Sequence, residues 1–118
     1  MSSHILDTST GRPAAGVAVT ISKLDGNARG IAMTNQEWRT LSTVLTNGDG
    51  RASGFLHGEE FIEGVYRLHF STEPYFRQGG RETFYPFVEV VFRVANGTEH
   101  YHVPLLLNPF GYTTYRGS

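Results

Sequence analysis

The sequence contains no cysteine, and this absence excludes several kinds of chemistry. Without thiols the chain can form no disulfide, iron–sulfur cluster, zinc–thiolate site or cysteine nucleophile. It also lacks an apolar run of the ~20 residues that a membrane-spanning helix needs, and its first residues lack the basic and apolar segments of a secretory signal. These absences predict a protein of the cytoplasm.

An excess of charge of one sign is also missing. Ten Lys and Arg residues stand against eleven Asp and Glu residues, which gives a formal net charge of -1. Nine of the ten basic residues are Arg and lie singly along the chain, so they form no basic stripe that could follow a phosphate backbone or an anionic membrane leaflet. We therefore expect neither nucleic acid nor a membrane as a partner.

Apolar and aromatic residues, in contrast, are plentiful. Hydrophobic residues make up 39% of the 118 positions, and they include eight Phe and six Tyr residues. This is enough apolar area for a packed core, and the length suits one domain rather than two. We expect a single folded domain that comprises residues 1–118.

Alternation of β-branched or aromatic residues predicts that most of the chain forms strands. In the segment 38–46, for example, Leu41, Thr43 and Leu45 are predicted to share one face. A helical turn is predicted only at 73–80, and tight turns at 25–27, 47–50 and 96–97. The clearest strands are predicted at 17–24 and 38–46, followed by 64–70 and 87–94. Further strands are predicted at 3–8 and 100–107. The fold class is all-β, with seven or eight strands in two packed antiparallel sheets.

Three histidines on predicted strands are candidates for chemistry. His4 shares a strand face with Leu6 and is, taken alone, more often a surface residue than a functional one. His100 and His102 lie on one face at i and i+2, a spacing that can chelate zinc or copper if a third ligand converges. Without that ligand, both are ordinary half-exposed strand residues.

An arginine and the chain terminus are the other candidates. Arg51 directly follows the turn 47–50, where a guanidinium is either a solvated charge or a clamp for a planar anion or a developing oxyanion. Tyr115, Arg116, Gly117 and Ser118 bring a phenol, a guanidinium, a hydroxyl and a carboxylate together, which favours a binding site. No Gly-x-Ser-x-Gly motif supports a serine hydrolase.

Four segments of the chain form one set of motifs. They are His-Ile-Leu-Asp-Thr-Ser-Thr-Gly-Arg-Pro-Ala at 4–14, Thr-Asn-Gly-Asp-Gly-Arg at 46–51, Tyr-His-Val-Pro-Leu-Leu at 101–106 and Tyr-Arg-Gly-Ser at 115–118. In these segments, and in their order, the chain resembles the transthyretin-related 5-hydroxyisourate hydrolases. The resemblance extends over nearly the whole chain.

The resemblance implies a transthyretin-like sandwich of two four-stranded sheets with one short helix. It implies a homotetramer, a dimer of dimers whose active sites lie in the channel between the dimers. The implied reaction is hydrolysis of 5-hydroxyisourate, the unstable product of urate oxidation in purine degradation, to a ureidoimidazoline carboxylic acid. No cofactor and no metal are implied.

Site residues follow from the same resemblance. His4, Arg51 and His102 match the family's catalytic residues, and the terminal segment matches the signature that lines the same site. We hypothesise that the two imidazoles activate water and return a proton to the departing nitrogen, in an order left open. His4 and Arg51 would also bind substrate, and Arg51 would stabilise the oxyanion. Ser118 would act in catalysis, and Tyr115, Arg116 and Gly117 in substrate binding.

Two other functions remain open for this sequence. A non-enzymatic carrier of small molecules could use the same fold, as transthyretin does for thyroid hormone. Carrier members lack the three catalytic residues and the terminal tetrapeptide, so these residues favour the enzyme. A metal-binding module built on His100 and His102 would hold about one ion per chain.

Overall fold

A computed structural model describes residues 1–25, 37–56, 62–95 and 99–118. These residues form nine strands and one helix. In chain order they are β1 (Ser2–Asp7), β2 (Arg12–Pro13), β3 (Ala18–Leu24), β4 (Trp38–Leu45), β5 (Arg51–Ala52), β6 (Gly64–Phe70), α1 (Thr72–Gln78), β7 (Val88–Val94), β8 (His102–Asn108) and β9 (Gly111–Thr114).

The strands form two sheets, which confirms the predicted all-β sandwich with one short helix. The first sheet has the order β2-β1-β8-β9, and β5 pairs with β1 on the same edge as β2; the second has the order β4-β3-β6-β7. No helix in the described parts of the chain is long and apolar enough to cross a membrane.

The first sheet differs from the prediction in two respects. It contains five strands instead of four, because the short β2 and β5 lie along opposite ends of β1. In addition, β1 and β8 pair in parallel, with Ser2 beside His102 and His4 beside Pro104. A parallel pair needs a long connection, and here the whole second sheet lies between the two strands in the chain.

Alternate residues of each central strand fill the space between the sheets. In β1, Ile5 and Asp7 are buried between the sheets, whereas His4 and Leu6 are only partly buried on the outer face. This confirms that His4 and Leu6 share a face. Most of the core is made of apolar side chains that each contribute about 1.5–3 kcal/mol on burial, among them Val19, Ile21, Leu68, Phe70, Phe76 and Leu105.

The face predicted for the segment 38–46 is wrong for Leu41, whereas Thr43 and Leu45 are both exposed, as residues that share a face should be. The pairing of β3 with β4 shifts between Ile21 and Ser22, so that Leu41 and Val44 pack against the core while Leu45 is 64% exposed. A bulge of this kind moves the residues beyond it to the opposite face, and strict alternation cannot anticipate it.

Several predicted boundaries also move by a residue or two. Strand β8 begins at His102, so His100 precedes it, and α1 ends at Gln78. The turn at 47–50 is present, and Gly50 has a positive φ of 73°. The turn predicted at 96–97, and most of that at 25–27, lie outside the described residues.

Candidate active site

Strand register brings the three sequence-predicted catalytic residues to one region of the first sheet. His4 is directly opposite Arg51 across the β1–β5 pair, and it is beside Pro104 across the β1–β8 pair. His102 precedes Pro104 by two residues and therefore lies on the same face of β8. Directly opposed residues of an antiparallel pair have Cβ atoms roughly 4.5–5.5 Å apart. His4, Arg51 and His102 therefore surround a common patch on the outer face of the sheet.

The turn before Arg51 is fixed by the side chain of Asn47. Its Oδ1 accepts hydrogen bonds from the backbone nitrogens of Asp49 and Arg51, at 2.9 and 3.0 Å. Gly50 then packs against β1 so closely that a Cβ at this position would lie 2.5 Å from the carbonyl oxygen of Ile5. With its positive φ as well, position 50 requires glycine. The turn therefore holds both Arg51 and the Asp49 carbonyl in place beside His4.

That carbonyl determines which nitrogen of His4 carries hydrogen. His4 Nε2 lies 2.9 Å from the backbone oxygen of Asp49. A carbonyl oxygen can only accept, so Nε2 must be the donor. In the neutral ring Nδ1 is then the nitrogen with the free lone pair.

His102 has a different kind of partner. Its Nδ1 lies 2.8 Å from the hydroxyl oxygen of Ser2, on the neighbouring strand. Partial burial lowers the pKa of His102, and the positive charges of Arg51, His100 and His4 lower it further. The ring is therefore neutral at pH 7 and can accept a proton.

The chain terminus lies against the same imidazole. The backbone nitrogen of Gly117 donates to the carbonyl oxygen of His102 at 2.8 Å. A Cβ at Gly117 would lie only 2.6 Å from Cδ2 of the His102 ring. The missing side chain thus lets the terminus pass directly over the ring, and the exposed Ser118 follows at once.

Arg116 turns away from the three catalytic candidates. Its guanidinium stacks over the Tyr101 ring, 4.7 Å from the centroid, and its Nη2 is 3.7 Å from Oε2 of Glu99. Tyr115 is 55% exposed. The substrate-binding role of both residues stays a prediction.

A cavity of about 350 Å³ lies beside His102, between β7 and the terminal segment. Its walls include His102, Tyr115 and Arg116, but neither His4 nor Arg51. His102 therefore stands at the boundary between this cavity and the open sheet face that carries the other two residues. The three groups converge on the sheet face and not in the cavity, so that face is the candidate reactive patch.

A metal site at His100 and His102 lacks further ligands in the described part of the chain. The two rings stack with centroids 6.4 Å apart. No group of three or more His, Cys, Asp or Glu side chains that could hold a metal occurs among the described residues.

Sequence patterns did not indicate Ser2 or Asn47, which contact the site. Ser2 lies two residues before His4, so alternation alone places both on one strand face. Its contact with His102 depends on the parallel register of β1 and β8, for which the sequence carries no local signal. Asn47 belongs to a recognised turn, but its side-chain bonds follow from the conformation of that turn.

Comparison with known proteins shows similarity to one family over nearly the whole chain. The family model described as "HIUase/Transthyretin family" matches residues 1–117. A protein of Mus musculus named 5-hydroxyisourate hydrolase is 45% identical over 118 residues, which cover all of this chain and 94% of the mouse protein. The 5-hydroxyisourate hydrolase 2 of Rhizobium meliloti (strain 1021) is 43% identical over 123 residues, covering all of this chain and 95% of that protein.

Solved structures of both an enzyme and a carrier have this fold. The 5-hydroxyisourate hydrolase of Klebsiella pneumoniae superposes with a TM-score of 0.80 at 35% identity, covering 99% of this chain and 97% of that one. Sea bream transthyretin in complex with thyroxine superposes with a TM-score of 0.83 at 32% identity, covering 98% of this chain and 92% of the transthyretin chain. The fold alone therefore does not distinguish a hydrolase from a carrier. The side chains of the site have to make that distinction.

Proposed function

Because the chain belongs to the HIUase/Transthyretin family, we propose that it hydrolyses 5-hydroxyisourate, the substrate in the names of its relatives from mouse, Rhizobium and Klebsiella. The observation that carries this function is the placement of two imidazoles and one guanidinium around one patch of the first sheet. A carrier that only binds and releases a small molecule needs no proton-transfer groups, whereas hydrolysis of a ring amide uses each member of this set.

The reaction divides among the three side chains. The neutral ring of His102 takes a proton from water as the water oxygen attacks the amide carbonyl carbon. Arg51 donates hydrogen bonds to the carbonyl oxygen, which becomes an oxyanion in the tetrahedral intermediate. The carbon–nitrogen bond then breaks, the nitrogen takes up a proton from an imidazole, and a carboxylic acid is formed. His4 offers Nδ1 as an acceptor that orients a substrate N–H group.

The positive groups around the patch also suit the charge that develops. An oxyanion forms in the transition state and a carboxylate in the product. The guanidinium of Arg51 faces both, and any imidazolium formed in the cycle adds to its effect. The charge of Arg51, which favours the neutral ring of His102 before the reaction, therefore stabilises the intermediate afterwards.

The terminal segment supplies the remaining contacts in this proposal. Gly117 lies on His102 and so brings Ser118 next to the reactive patch. Ser118 orients the attacking water, and Tyr115 and Arg116 bind the substrate from the side of the cavity.

We also propose a homotetramer, a dimer of dimers whose channel covers the reactive patch. Its support is the apolar edge of the sandwich, where Val91 of β7 and Tyr112 of β9 are 57% and 41% exposed on strands that end the sheets formed by the described residues. Such edges are normally covered in the native assembly. Residues 1–118 would form one domain, and the cytoplasm would be its location. Analytical sedimentation tests the tetramer, and cell fractionation tests the location.

An absorbance assay tests the reaction. Urate oxidase generates 5-hydroxyisourate from urate in the cuvette, and the decay of its absorbance is followed with and without the protein, against the spontaneous rate. We expect acceleration by the parent chain and a rate near the spontaneous one for His102→Ala. A parent chain that leaves the decay unchanged, or a His102→Ala variant as fast as the parent, would refute the proposal or the site assignment respectively.

A further inference from the structure

The two imidazoles of the site are held by partners of different chemistry. The partner of His4 is a backbone carbonyl, which only accepts hydrogen bonds. The partner of His102 is the hydroxyl of Ser2, which can either donate or accept. The hydrogen position is therefore fixed on His4, whereas on His102 it depends on the direction of the bond with Ser2.

Geometry leaves only one ring nitrogen of His102 to meet the substrate. Ser2 occupies Nδ1 at 2.8 Å. Gly117 packs against the ring carbons Cδ2 and Cγ and not against a ring nitrogen. The free nitrogen is Nε2. For Nε2 to take a proton from water, it must be unprotonated in the neutral ring, so the ring hydrogen must lie on Nδ1.

We propose that Ser2 is a positioning residue whose Oγ accepts the hydrogen bond from Nδ1–H of His102, so that Nε2 is kept as the proton acceptor. The same bond persists when Nε2 has gained its proton, because Nδ1 remains a donor in the imidazolium. Ser2 thus supports both states of the ring without moving. This inference rests on the proposed hydrolysis, since it assigns a direction to the proton transfer within it.

The charges around the ring make such a partner important. Partial burial, Arg51, His100 and His4 all act against the protonated form of His102, while a hydrogen bond with the backbone of Ser2 acts in its favour. The Ser2 hydroxyl, 2.8 Å from Nδ1, is a second partner on the same residue. Without the hydroxyl, the imidazolium would lose its acceptor at Nδ1, and the neutral ring would be free to place its hydrogen on Nε2. Both changes weaken His102 as a base.

Two substitutions at one position and one control separate this role from a structural one. Ser2→Ala removes the hydroxyl, and Ser2→Thr restores it on the same strand. Ser3→Ala is the matched control, because the Ser3 hydroxyl also bonds from β1 to β8, donating to the Val103 carbonyl at 2.7 Å without touching an imidazole. All three lose or alter one hydroxyl at adjacent positions of β1.

Nitrogen-15 NMR of the histidine rings gives a readout that needs no substrate, with His102→Ala used to assign the signals. We expect Nδ1–H to predominate in the neutral His102 ring of the parent and of Ser2→Thr. In Ser2→Ala we expect the population to move towards Nε2–H and the pKa of His102 to fall further. Ser3→Ala should match the parent spectrum.

Kinetics then connect the ring to the reaction. For Ser2→Ala we expect kcat to fall about tenfold, the typical effect of losing one hydrogen bond to a charged group, while KM changes little. Ser2→Thr should recover most of kcat, and Ser3→Ala should keep it. The proposal is overturned if Ser2→Ala retains the parent tautomer, or if it retains the parent kcat. A parent chain inactive on 5-hydroxyisourate would instead refute the proposed function, before any variant is measured.

Discussion

The backbone of Gly117 lies directly on the imidazole of His102, close enough that a methyl group there would meet Cδ2 at 2.6 Å and Cγ at 3.3 Å. The same glycine donates a backbone hydrogen bond to the carbonyl oxygen of His102. The φ of Gly117 is not positive, so the requirement for glycine at this position comes from the contact and not from the backbone conformation. The end of the chain and the proposed base are therefore one packed unit.

Gly117→Ala should consequently damage the reaction without damaging the fold. The new methyl group must displace either the His102 ring or the terminus, and a displacement of about 1 Å at a reacting group reduces the rate about 100-fold. Steady-state kinetics on 5-hydroxyisourate, together with a thermal melt, measure the two effects.

Gly111→Ala is the matched control for that substitution. Gly111 lies on the neighbouring strand β9, has no positive φ, and a Cβ there would come no closer than 3.8 Å to the Asn108 side chain. We expect this variant to keep the parent kcat and melting temperature. Equal kcat for Gly117→Ala and Gly111→Ala would contradict a functional contact between the terminus and His102.

Conservative replacement of Arg51 should separate its charge from its shape. Arg51→Lys keeps a positive charge opposite His4 but loses the planar set of donors that an oxyanion meets. We expect kcat to fall about 100-fold, as for the loss of an oxyanion donor. Arg39→Lys is a suitable control, because Arg39 is exposed and pairs with Asp25 away from the site. A fully active Arg51→Lys would argue against oxyanion stabilisation by this residue.

The pH dependence of kcat/KM should respond to the charge at position 51. Partial burial and the positive charges of Arg51, His100 and His4 lower the pKa of His102 below its ordinary value of 6.5. A base with a lowered pKa stays neutral, and so active, to lower pH. Arg51→Gln removes one positive charge, so we expect the acidic limb of its profile to move to higher pH, whereas that of Arg51→Lys should not move. Identical acidic limbs for all three proteins would exclude His102 as the titrating base.

Much of the fold and part of the site could be predicted because they depend on local alternation. Local sequence was enough to predict that His4 shares a strand face with Leu6 and that a tight turn precedes Arg51, because each feature depends on residues within a few positions of each other. The bulge that separates Leu41 from Leu45 could not be predicted, since it arises from pairing with β3.

The contacts that hold the site together depend on long-range register. Ser2 and His102 are 100 positions apart, and they meet only because β1 and β8 run in parallel. Period-2 patterning determines which face a residue occupies but not which strand becomes its neighbour. The candidate site residues could therefore be proposed from sequence motifs. Their hydrogen bonds could be identified only from the structure.

The far end of β1 is fixed by Asp7, and this carboxylate should govern stability in acid. Asp7 is fully buried and accepts hydrogen bonds from Ser9, from the Tyr75 hydroxyl at 2.8 Å and from Arg81 at 2.9 Å. Burial alone would raise its pKa, but the bonds from Ser9, Arg81 and Tyr75 outweigh burial and lower the pKa from 3.8 to about 2. Because the pKa is lower in the folded state, the stabilisation is complete above about pH 4 and is lost as the pH falls towards 2.

Asp7→Asn should therefore lower the free energy of unfolding at pH 7 by about 2 kcal/mol and flatten its decline between about pH 4 and pH 2. Urea titrations across this range measure both effects. Asp25→Asn removes an exposed carboxylate that pairs with Arg39, and it should change stability by less than about 1 kcal/mol. If Asp7→Asn kept the parent's decline in acid, another group would have to hold β1 against Tyr75 and Arg81. Asp7→Asn can also be assayed for activity in its folded state. A lower free energy of unfolding with the parent kcat would mean that Asp7 anchors β1 but does not set the positions of Ser2 and His4 at its other end.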